Sequence, residues 1–89
     1  MPYIAPSERE YFDKAIDDLI AQLLIRSGET TRDGILNYTI TRILHALYMP
    51  RYYSYNSAIG MLECVKQEFY RRSVALYEDS KMKENGDVR

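Results

Sequence analysis

Apolar residues recur along most of this chain at three- and four-residue steps, the spacing that gathers side chains on one face of an α-helix. Phe12, Ala15, Ile16, Leu19, Ile20, Leu23 and Leu24 make the first run, with Asp13, Lys14, Asp17, Asp18 and Gln22 on the opposite face. Ser7 and Glu10 have the spacing of a capping box, which predicts a start at Ser7, and Gly28 suits the stop. Ile35, Leu36, Ile40, Ile43, Leu44 and Leu47 make the second run, opened by Thr30, Thr31 and Asp33, of which Thr30 and Asp33 have the spacing of a cap, and closed by Pro50. In the third run Ala58, Leu62, Val65 and Phe69 form a seam, with Ile59, Met61 and Leu76 beside it. That helix is expected to follow a tyrosine-rich turn at Arg51 to Asn56, to be capped by Ser54 or Asn56, and to reach as far as Lys83. Gly60 inside it costs about 1 kcal/mol relative to Ala, a cost that close helix–helix approach would offset.

No stretch alternates apolar and polar residues as a half-buried strand would. The pattern therefore predicts an all-α, three-helix domain with a long third helix. It is taken as a single helical domain over 1–89, with an N-terminal arm over 1–6 and a polar C-terminal tail over 80–89. Tyr3 and Ile4 are expected to dock that arm on the body. Eighty-nine residues bury only about 60–65% of their unfolded surface. Chains of that size often gain stability from a partner subunit, and a homo-oligomer is expected, a dimer favoured, through apolar surface on the second and third helices.

Composition narrows the function classes. The chain is 46% hydrophobic and 28% charged, too apolar for disorder. Its formal net charge of -1 lacks the basic surplus with which duplex nucleic acid binders neutralise phosphates, so duplex nucleic acid is not an expected partner. One cysteine, Cys64, and one histidine, His45, cannot supply a structural zinc site, and Cys64 is expected to be a buried, inert thiol. There is no run of 18 apolar residues and no signal-peptide pattern, so no membrane partner is expected and a cytoplasmic location is the default. No cofactor motif is present, and no cofactor is expected.

Three sets of residues could carry chemistry. The tyrosines and arginines are the most suggestive: Tyr48, Arg51, Tyr52, Tyr53 and Tyr55 with Asn56 around one turn, and Tyr70, Arg71 and Arg72 on the third helix. Tyrosine stacks on bases and arginine pairs with phosphate in a forked geometry, which suits a small nucleotide or single-stranded nucleic acid. The same mixture anchors protein interfaces, and tyrosines also simply pack on a core. Carboxylates are the second set. Glu63 and Glu68 stand five residues apart, about 140° around a helix, so they cannot share one ion within it; a Mg²⁺ site from Glu63, Glu68, Glu78 and Asp79 would have to assemble across subunits. The third set is the polar line Asn37, Thr41 and His45, a surface row or a place for a small ligand.

From Gly34 to Val88 the sequence resembles a family of small proteins of unknown function found in bacteriophages and microbes. The resemblance is carried by GILNYTITRIL at 34–44, YNSAIGMLECVKQEFYRR at 55–72 and YEDSKMKENGDV at 77–88. Asn37, Tyr38, Asn56, Glu63, Glu68, Arg71, Arg72, Glu78, Asp79, Asn85 and Asp87 match its polar positions. The resemblance implies an ordered, functional tail and no particular chemistry. The leading expectation is a non-enzymatic, self-associating binding module, phage-derived, with Tyr52, Tyr53, Tyr55, Asn56, Tyr70, Arg71 and Arg72 as contacts. A metal-dependent nucleotide hydrolase and a nucleotide-sequestering protein are the alternatives.

Overall fold

The computed structural model describes residues 4–88, and these are all-α, with no strand among them. Helix α1 spans Pro6–Arg9, α2 Asp13–Arg26, α3 Arg32–Leu47, α4 Tyr52–Phe69 and α5 Ala75–Asn85. A π-helical segment, Tyr70–Val74, joins α4 to α5, so the last helix runs unbroken from Tyr52 to Asn85. The chain divides into two units, one ending at Arg51 and one beginning at Tyr52.

In the first unit the expected single helix is two. Pro6 enters α1 at a position where a missing N–H costs nothing. The turn at 10–12 then resets the chain before α2, and no side chain caps either start, so the Ser7–Glu10 box does not form. Ile4 is exposed, and Tyr3 lies outside the described residues.

The corner between α2 and α3 is held by polar contacts. Ser27 is buried; its hydroxyl donates to the Leu23 carbonyl and accepts from Arg32 Nε at 2.9 Å. Gly28 N–H donates to Thr31 Oγ1 at 2.9 Å. These bonds satisfy groups that the two helix ends leave open. The expected Thr30 and Asp33 cap is replaced by Thr31, whose hydroxyl serves the loop and not the helix. Pro50 lies just past the end of α3, as its missing N–H requires.

In the second unit the third helix starts earlier than expected. Tyr52, Tyr53 and Tyr55 are not in a turn; with Ser54, one of the two expected caps, they form the first turn of α4, and Asn56 follows them within the helix. Its far end passes Lys83 and stops at Asn85, because Gly86 takes φ 84°, a left-handed conformation that glycine adopts without strain. Most of the tail is thus helical. Nothing approaches Gly60, so the close contact expected there is absent among the described residues.

Candidate functional site

The long helix of the second unit carries nearly all the candidate contacts, and it separates them. Tyr52, Tyr53, Tyr55 and Asn56 occupy its first turns, exposed. Tyr70, Arg71 and Arg72 occupy the π segment, also exposed. Phe69 stands seventeen residue steps after Tyr52, about 26 Å at 1.5 Å per residue. Within one chain the tyrosine end and the arginine end do not form one site.

The arginine end is tied to its own helix. Glu68 Oε1 accepts from Arg71 Nη2 at 2.7 Å and from Arg72 Nε at 2.6 Å, and the Glu68 side chain is only 19% exposed. One carboxylate therefore balances two guanidinium groups three and four residues on, on the same helix face. Tyr70 Oη donates to Glu78 Oε2 at 3.0 Å, reaching across the π segment into α5. That bond and the charge of Glu78 raise the Tyr70 phenol above the ordinary tyrosine range, because both favour the protonated form.

The π segment has a local backbone signature. Ala75 N–H donates to the carbonyl of Tyr70, five residues back instead of four. One extra residue in the turn rotates everything beyond it by about 100° relative to α4. Leu76 thereby leaves the α4 seam, and Tyr77 takes the angular position that Leu76 would hold in a regular helix. The sequence signal for this was faint: polar Arg72 and Ser73 stand where the Phe69 seam would next fall.

The carboxylates are spoken for locally. Glu63 accepts from Gln67 at 3.1 Å and Lys66 at 3.4 Å, and the Gln67 bond, followed by the Lys66 charge, holds its carboxyl below the usual range. With Glu68 on the arginines and Glu78 on Tyr70, no group of three His, Cys, Asp or Glu side chains comes together as a metal set among the described residues. Cys64 is exposed, correcting the expectation of a buried thiol.

The polar line of the first unit is real but shallow. Thr41 Oγ1 donates to Asn37 Oδ1 at 3.2 Å, and these residues with His45 line an open surface along α3. Tyr38 and Arg42 border it, the guanidinium 6.0 Å from the ring centre. The i,i+4 spacing of Tyr38 and Arg42 in the sequence is what brings this pair together. Every lining residue comes from one helix, so the surface does not enclose a ligand.

With this geometry stands one family relation: residues 1–88 match a domain of unknown function (DUF6899), and the chain belongs to that family. No curated protein and no solved structure matches the chain. No described helix is long and apolar enough to cross a membrane.

Proposed function

We propose that the chain is a self-associating helical interaction module of the cytoplasm, phage-derived as its resemblance to small phage and microbial proteins suggests, and not an enzyme. One observation carries the reading: its amphipathic faces are not covered. Phe12, Ile16, Leu19, Ile20, Ile40, Ile43, Ile59, Val65 and Phe69 are all exposed, and Ala58 is the one buried hydrophobic residue among those described. Single exposed apolar residues are ordinary, but contiguous faces mark surfaces that a partner covers. The Tyr and Arg residues beside those faces are the types that anchor such interfaces.

Native mass spectrometry of gently purified protein tests the reading. A dimer or larger assembly with no added mass is the expected result. A monomer at tens of micromolar overturns it. An assembly carrying a nucleotide-sized mass replaces it with nucleotide sequestration, or with hydrolysis if Mg²⁺ or Mn²⁺ also raises the melting temperature.

A further inference from the structure

Two rows of exposed side chains run along α3 at four-residue steps. Asp33, Asn37, Thr41 and His45 make the first; Gly34, Tyr38 and Arg42 make the second, beside it. Between them lies the open surface of α3, with Gly34 at one end. The first row has a carboxylate at one end and an imidazole at the other, with an amide and a hydroxyl between. The same row inverted meets each group with its complement: carboxylate with imidazole, amide with hydroxyl.

We propose that two copies of the chain pair antiparallel along these rows of α3, the first row of each seated in the groove between the two rows of the other. The proposal rests on the self-association reading and adds a polar face, a direction and a register. Asp33 of one copy enters between Thr41, Arg42 and His45 of the second copy. Asn37 enters between Asn37, Tyr38 and Thr41 of the second copy. Rows at four-residue steps incline by about 26° to the helix axis, so two of them laid together cross their helices at about 50°, the commonest packing of helix pairs. The groove that one helix leaves open is closed by the other.

Charge complementarity selects both the occupant and the direction. The Asp33 and His45 side chains have no hydrogen bond or ion pair among the described residues. Thr41 Oγ1 already donates to Asn37 Oδ1, which leaves the Asn37 amide to donate and the Thr41 oxygen to accept across the pair. Arg42 stands on the rim with its guanidinium 6.0 Å from the Tyr38 ring centre. A parallel pair sets Asp33 against Asp33 and Arg42 against Arg42. A nucleotide or other anion would meet Asp33 at one end of the groove. An apolar segment would cover Asp33 and Arg42 and give neither a partner, which is costly. A second copy, inverted, offers base and acid where this row has acid and base.

Gly34 supplies a second, separate observation. It lies in the first turn of α3, and a Cβ added there meets nothing within 4 Å. Its own chain therefore gives no steric reason for a residue that weakens a helix. In the pair, Thr41 and His45 of the second copy pass over this position, where the missing side chain lets the two helices close.

Full-length D33R, R42E, G34Q and the double variant D33R/R42E test the pairing by sedimentation equilibrium, with circular dichroism and thermal melting as the check on folding. D33R brings like positive charges together and R42E like negative ones, and each alone is expected to weaken association about tenfold or more. The double variant, and an equal mixture of the two single variants, has opposite charges at both ends of the pair and is expected to return to within about threefold of the wild type. G34Q should melt no lower than the wild type, since glutamine favours a helix, yet associate about tenfold more weakly. Wild-type association in all three single variants overturns the α3 face while self-association stands. Weakening without recovery in the double variant or the mixture overturns the antiparallel register. A monomeric wild type overturns both this pairing and the self-association reading.

Discussion

The Tyr70 hydroxyl donates to Glu78 Oε2 at 3.0 Å, eight residues further along the same continuous helix. With Glu68 holding Arg71 and Arg72 on the other side, side chains grip the π segment from both flanks. A π turn is uncommon and clusters at functional positions. Here it sits where the arginines do.

Removing Ser73 should convert the π segment to regular α-helix. Circular dichroism is expected to show undiminished helicity and a higher melting temperature, because α hydrogen bonding replaces the wider turn. Leu76 and Tyr77 would hold their present angular positions, and self-association measured by sedimentation should be little changed. A lower melting temperature would mean that the π segment is the locally preferred form.

Tyr70 should also report its bond to Glu78 through pH. Its pKa is raised in the folded chain. The contribution to stability is then complete below the ordinary tyrosine range, near 10, and is lost as pH rises through the higher folded value. Ultraviolet titration of the wild type should show a late tyrosine component that Tyr70→Phe removes. Loss of a component from the ordinary tyrosine range instead, with any late component retained, would place the Tyr70 hydroxyl in water.

Ile59→Glu should weaken self-association. Each copy would lose an aliphatic side chain worth about 1.5–3 kcal/mol when covered, and each would gain a carboxylate on that face. In a dimer both copies bear the loss, so the dissociation constant should rise at least about 100-fold, read by sedimentation equilibrium. Far-ultraviolet circular dichroism of the monomer should stay helical, since Ile59 is largely exposed in the single chain.

Replacing Arg71 and Arg72 together by Ala should weaken association about tenfold or more with little change in melting temperature. Both arginines are well exposed, and exposed helical ion pairs contribute about 0.3–0.5 kcal/mol each. Lys substitution tests the guanidinium: R71K/R72K keeps charge but loses the planar stacking surface, and should recover only part of the binding. Wild-type association in the Ala variant would remove these residues from the interface.

The sequence alone determined the helices, because helix formation rests on local spacing: the apolar runs, Pro50 and Gly86 fall where the structure needs them. It misjudged the first helix as one piece, since the break at 10–12 leaves the apolar period intact. It put three tyrosines in a turn, since tyrosine gives no sharp boundary signal. What periodicity cannot decide is what lies opposite an apolar face. It says that Ile59 and Phe69 share a side of a helix, and not whether that side meets its own chain or another. Only the tertiary structure decided that these faces stay uncovered, that Cys64 is exposed, that one extra residue rotates the helix at Tyr70, and that Glu68 holds both arginines. The first two depend on where distant parts of the chain come to lie; the π turn and the Glu68 pairs are contacts three to five residues apart that hydrophobic spacing does not record.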